Sequence, residues 1–131
     1  MEQQKIRILI VENEQYLLQQ FEGKLEEGPY DLTVARNGDE ATNFIHQNPF
    51  DLILLDIMIP KKNGFEILAD MKNRGNTTPV IVVTSLGHPD DVQHAKQLGA
   101  KDYFVKSPHL TDILGHVTRV LRESRSVSVR S

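Results

Sequence analysis

The sequence contains no cysteine, which excludes disulfide frameworks, thiolate metal sites and cysteine nucleophiles together. It also lacks any long hydrophobic run. Apolar stretches such as Ile8 to Val11 and Leu52 to Leu55 are far too short to cross a bilayer. Met1-Glu2-Gln3-Gln4 does not open the apolar segment of a secretory signal. Nor is there a basic excess: 15 Lys+Arg stand against 18 Asp+Glu, a formal net charge of −3, with a pI near 5.9. Without surplus positive charge to collect phosphate backbones, nucleic acid is not an expected partner, and no membrane is expected either. What is present is a chain of 131 residues, 39% hydrophobic and 25% charged. That length suits one domain, which can bury roughly two thirds of its unfolded surface without covalent staples. Together these features read as a soluble, cytoplasmic domain.

Five apolar, β-rich runs recur: Ile6 to Val11, Asp31 to Ala35, Phe50 to Leu55, Val80 to Thr84 and Tyr103 to Val105. The first and fourth are nearly continuous Ile/Val/Leu, the pattern of strands buried on both faces in a parallel sheet covered by helices. Helical spacing fills the gaps. Leu17, Leu18, Phe21 and Leu25 form one stripe, Ala41, Phe44 and Ile45 a second, and Phe65, Leu68 and Ala69 a third. Val92 with Ala95, and Ile113, Leu114, Val117, Val120 and Leu121, complete the set. All five stripes read as core packing.

Gly28-Pro29, Asn37-Gly38, Asn48-Pro49, Asn63-Gly64 and Gly99-Ala100 punctuate the pattern as turns. Pro89 followed by Asp90 and Asp91 suits the first turn of a helix, where a missing N–H costs nothing and negative charge meets the dipole. Strict alternation predicts a single doubly wound α/β domain, (βα)5, over residues 1–123. Its five-stranded parallel sheet takes the flavodoxin-like order 2-1-3-4-5. Residues 124–131 read as a flexible tail or a truncated linker.

Ligands of open α/β sheets bind beyond the carboxyl ends of the strands, so the residues there carry the functional information. The first strand ends in Glu12-Asn13-Glu14, the third in Asp56, the fourth in Thr84-Ser85 and the fifth in Lys106. Two carboxylates brought together, Glu12 and Asp56, are costly unless a cation lies between them. A few oxygen ligands with room for water suit Mg²⁺. Thr84 and Lys106 would face the same spot as a hydroxyl and an ammonium. A donor, a cation and a metal around one carboxylate stabilise an anionic group placed on it, and a phosphoryl group on Asp56 meets these demands.

Over roughly residues 5 to 122 the chain resembles the receiver domain of two-component response regulators. Four segments carry the resemblance: Ile8 to Glu12, Asp56 to Gly64, Pro79 to Ser85 and Gly99 to Lys106. The resemblance implies that Asp56 is the phosphoacceptor, taking a phosphoryl group from a phosphohistidine on a sensor histidine kinase or a histidine phosphotransfer protein. It implies that Lys106 pairs with the phosphoryl oxygens, that Thr84 moves toward them and that Tyr103 is the aromatic switch. Glu12, Asn13, Asp56 and the backbone carbonyl of Met58 would hold Mg²⁺. The surface of the fourth helix, fifth strand and fifth helix would then repack, offering a face for a homodimer or an effector. Such a protein is a signalling domain that assists its own phosphorylation rather than an enzyme.

Three departures from the family pattern stand out. Asn13 replaces a second acid, which predicts weaker Mg²⁺ binding. It also supports an alternative reading as a pseudo-receiver, an interaction module with weakened phosphorylation. Ser107 stands where a proline is common; a cis bond there would cost about 2.5–4 kcal/mol, so the Lys106-Ser107 bond reads as trans. Met58 and Leu86, two beyond Asp56 and Thr84, cannot orient a water and predict a long-lived phospho-form. Glu14, in the first helical turn, is expected to face solvent. His46, His88, His94, His109 and His116 show no metal spacing and read as surface residues. Lys61-Lys62 reads as a solvated turn that could meet an acidic partner, and Asp102 as an intersubunit partner of Arg119 or Arg122. Flavin binding is disfavoured because Glu12 and Glu14 would repel a phosphate, and a haloacid-dehalogenase-like phosphatase would need an acid at Met58.

Overall fold

The computed structural model describes residues 5–26, 28–106 and 113–130. In it β1 (Ile6–Val11), β2 (Tyr30–Ala35), β3 (Leu52–Leu55), β4 (Val80–Thr84) and β5 (Asp102–Val105) alternate with five helices. These are α1 (Gln15–Leu25), α2 (Gly38–Gln47), α3 (Gly64–Asn73), α4 (Pro89–Gln97) and α5 (Ile113–Arg130). All strand pairs are parallel and the order is β2-β1-β3-β4-β5, as the sequence predicts. Among the described residues no helix is long and apolar enough to cross a membrane.

The period of two in each strand divides the core. Leu9, Val11, Ile53, Leu55, Val80 and Val82 face one way, against Ala41 and Ile45 of α2, Ile67, Leu68 and Met71 of α3, and Ala95 of α4. Ile8, Ile10, Leu52, Leu54, Ile81 and Val83 face the other way, against the α1 stripe and Ile113, Val117, Val120 and Leu121 of α5. Burying a side chain of this size contributes about 1.5–3 kcal/mol. Continuous apolar strands are what a sheet covered on both faces requires.

Local chemistry refines the expected boundaries. β3 starts at Leu52 rather than Phe50, because Asp51 engages Arg7 twice ahead of the ladder. The Asp51 N–H donates to the Arg7 carbonyl at 2.8 Å, and its carboxylate accepts from the Arg7 N–H at 2.8 Å. Asn37 and Asn63, predicted as turn residues, are helix N-caps. Asn37 accepts from the Glu40 N–H at 2.9 Å. Asn63 and Glu66 form a reciprocal capping box. Pro89 opens α4 as expected, with the His88 ring accepting from the Asp90 N–H.

α5 runs to Arg130, into the stretch expected to be a flexible tail or a truncated linker. No glycine or proline follows Gly115, so nothing in the sequence stops the helix. Met1 to Gln4, the Lys106-Ser107 bond and His109 lie outside the described residues.

Candidate functional site

Parallel registry brings the four strand ends to one rim. The Asp56 N–H donates to the Val11 carbonyl at 2.9 Å, the Glu12 N–H to the Ala35 carbonyl at 3.0 Å, and the Lys106 N–H to the Thr84 carbonyl at 2.7 Å. The ladder geometry that ends each strand therefore also aims the residue that follows it. The segment after Asp56 is pinned by two close approaches. Gly64 and Gly38 donate to the Ile57 and Pro60 carbonyls, each at 3.0 Å. A Cβ on Gly64 would lie 2.7 Å from the Ile57 Cα, and one on Gly38 would collide with the Lys62 carbonyl. Lys61, in the same segment, adopts φ 71°, a left-handed conformation that is uncommon for a side-chain-bearing residue.

The Lys106 ammonium is the centre of the rim. Its Nζ lies 2.9 Å from Asp56 Oδ2, 3.2 and 3.3 Å from the two Glu12 oxygens, and 2.7 Å from Glu14 Oε2. Asp56 Oδ1 accepts from the Met58 N–H at 3.0 Å, and Glu12 Oε2 accepts from the N–H groups of Asn13 and Glu14 at 3.0 and 3.1 Å. The Glu12 and Asp56 side chains are 2% and 3% exposed. Burial pushes the Glu12 carboxyl up to about 7; the Asp56 charge adds to this, and the Glu14 amide and Lys106 oppose it. Burial alone would lower the Lys106 pKa, but hydrogen bonds to Glu14 and Asp56 and the nearby negative charges hold it above the usual lysine range.

Around this centre the remaining predicted residues take distinct positions. Thr84 is fully buried, and its Oγ1 accepts a long bond of 3.5 Å from the Leu86 N–H. The Tyr103 hydroxyl donates to the Leu86 carbonyl at 2.5 Å. Burial of the ring raises the Tyr103 pKa, with the Asp91 and Asp56 charges adding to it. Asn13 is exposed beside Glu12. The Met58 side chain is exposed, with its sulfur accepting from Ser85 Oγ at 3.3 Å. Glu12, Asp56 and Lys106 are thus in direct contact, with the Asn13 and Met58 N–H groups bonded to the two acids, whereas Thr84 and Tyr103 both bond Leu86.

The family model of the response regulator receiver domain matches residues 8–118. This chain belongs to that family. The transcriptional regulatory protein CiaR of Streptococcus pneumoniae is 34% identical over 119 residues, spanning 91% of this receiver domain and 53% of CiaR. The chain thus covers about half the length of the curated relatives it matches. Among solved structures, the Francisella response regulator 1452 receiver domain superposes with a TM-score of 0.85 at 26% identity, covering 92% of this chain and 99% of that one. The Mn²⁺-bound form of response regulator Rcp1 gives 0.76 at 31% identity, with coverage of 88% and 91%. The protein is therefore a receiver domain of two-component response regulators, a signalling domain of a class that works with histidine kinases.

Two expectations are corrected by the geometry. Glu14 does not simply face solvent. It is the N-cap of α1, with extended backbone angles and no side-chain cap bond, and this turns its carboxylate onto Lys106. The signal available in the sequence was its place one residue ahead of the helix rather than inside it. Asp102 pairs with Arg119 of its own chain and lies 3.4 Å from His116 Nδ1, rather than waiting for a second copy. Of the other histidines, His46 bonds Asp70 at 2.8 Å and His94 stacks on Phe65, both on the outer surface.

Proposed function

We propose that this receiver domain accepts a phosphoryl group on Asp56 from a phosphohistidine of a sensor histidine kinase or phosphotransfer protein. The observation that carries the reading is the convergence of Lys106 on Asp56 at 2.9 Å, with Thr84 at the end of the neighbouring strand. An Asp56 oxygen attacks phosphorus; the new O–P bond forms as the histidine N–P bond breaks, and the ring nitrogen leaves with the bonding pair. Lys106 offers a charge-assisted donor to the transferred oxygens, and the Thr84 hydroxyl is the neutral donor within the same cluster.

The donor set suits a hard divalent cation. Three carboxylates face one ammonium, and burial, with the Asp56 charge adding to it, raises the Glu12 pKa. Glu12, Asp56, the Asn13 amide oxygen and the Met58 carbonyl would hold Mg²⁺. When bound, Mg²⁺ supplies charge neutralisation for phosphoryl oxygens. The Mn²⁺-bound relative supports this assignment. Asn13 contributes no charge, so Asn13→Asp is expected to tighten Mg²⁺ binding; equal affinities in a titration would refute that.

The response passes through Thr84 and Tyr103. Both meet Leu86, one at its N–H and the other at its carbonyl, so a shift of the Thr84 hydroxyl toward a phosphoryl oxygen changes the segment on which Tyr103 is anchored. The output face is α4–β5–α5, for a second copy or an effector. Incubation with a small acyl phosphate and Mg²⁺, followed by intact-mass measurement, tests the reading. A gain of about 80 Da that Asp56→Ala abolishes is expected; an unmodified wild type would favour the pseudo-receiver instead.

A further inference from the structure

An ammonium has three N–H donors, and those of Lys106 face three carboxylates, Glu12, Asp56 and Glu14. A phosphoryl group arriving on Asp56 needs at least one of those donors. The three acids are not equally easy to release. Glu12 and Asp56 are almost wholly buried, and taking the ammonium from either leaves a buried carboxylate short of a partner, which is costly. The Glu14 side chain is 64% exposed, so water replaces Lys106 there at little cost. Glu14 is also uncommitted to its helix, since its carboxylate makes no cap bond to α1.

We propose that Glu14 is the exchangeable partner of Lys106, a positioning residue that occupies the ammonium in the unphosphorylated site and yields it to the incoming phosphoryl oxygens. The inference rests on Asp56 being the phosphoacceptor. Glu14 acts as a brake on phosphoryl capture in two ways: it competes for Lys106, and its negative charge faces an anionic donor. Because the pair reaches the surface, the brake is screened by salt.

The test measures initial rates of labelling by acetyl phosphate with Mg²⁺ in the full chain, read by intact mass. Glu14→Gln is expected to label about two- to fivefold faster than wild type, the range open to an exposed ion pair. The ratio should fall toward one in about 1 M salt, where the Debye length is about 3 Å. Glu22→Gln, which removes an exposed acid about two turns further along α1, should match wild type. Labelling of Glu14→Gln at or below the wild-type rate overturns the proposal, as does an equal acceleration by Glu22→Gln or a ratio indifferent to salt. Wild type that labels while Glu14→Gln is unchanged removes the brake alone; wild type that takes no label removes the Asp56 reading and the brake with it.

Discussion

The centre of the sheet and its α4–β5 edge are held by very different amounts of packing. Every residue of β3, and Ile8 to Val11 of β1, is buried. By contrast, α4 buries only Ala95, and no residue of β5 is fully buried. The acids Glu12 and Asp56 extend from the well-packed centre. Leu86 and Tyr103 belong to the loosely packed edge and are joined by one hydrogen bond. The difference teaches where a charge change at the rim can be absorbed. The centre has no room to yield, whereas the edge has few buried contacts to lose, the property expected of elements with low local stability.

The strongest test of this contrast is a pair of truncations. Ile10→Ala, at the centre, should cost about 2–5 kcal/mol, while Val92→Ala, on the half-buried face of α4, should cost less than about 1 kcal/mol. Urea unfolding reads both, and similar losses would dissolve the contrast. The next effect is a pH slope in the centre. With Glu12 at about 7 rather than 4.5, the folded state binds more protons than the unfolded state between those values. Stability in chelator should therefore fall as pH rises from 4.5 to 7, by roughly 2–3 kcal/mol. Glu12→Gln should remove that slope, and a flat wild-type profile would contradict it.

Gly38→Ala forces a Cβ into the Lys62 carbonyl and should cost about 1–3 kcal/mol, visible as a lower urea midpoint. At the edge, Tyr103→Phe removes the bond to Leu86 and should cost only about 0.5–1.5 kcal/mol. Its sharper signature would be faster amide exchange in residues 85–88, with the amides of β1 and β3 unchanged. The smallest effect lies outside both regions. The hydrogen bond from His46 holds the Asp70 carboxyl below its ordinary value, helped by Arg74. Its contribution is therefore present above the unfolded pKa and is lost as pH falls through the folded one. Asp70→Asn should cost at most about 1 kcal/mol at neutral pH and nothing at strongly acidic pH.

Much of this architecture is legible in the residues because the sheet is covered on both faces. Runs such as Ile8 to Val11 and Leu52 to Leu55 have no solvent side on which to place polar residues, so the first polar residue after each run marks a strand end. Glu12 and Asp56 are found that way, and Lys106 by its place after the shorter apolar run of β5. What the sequence leaves open depends on rotamers and on half-turn offsets. Glu14 meets Lys106 because it precedes α1 rather than joining it. Asp102 reaches Arg119 within the chain because α5 packs beside β5. Asn37 and Asn63 carry a turn residue's signature and serve as caps, two uses of the same short amide side chain. The serines after Glu123 resemble a tail in composition, yet they contain no residue that ends a helix.

The central claim is that the carboxylate of Asp56 itself receives the phosphoryl group. Borohydride reduction of the acyl-phosphate-treated protein converts a phosphorylated aspartate to homoserine, and peptide mapping locates it. The account expects homoserine at position 56, dependent on Mg²⁺ and absent without the phosphodonor. Homoserine at another aspartate, or none at position 56 under labelling conditions, would contradict it.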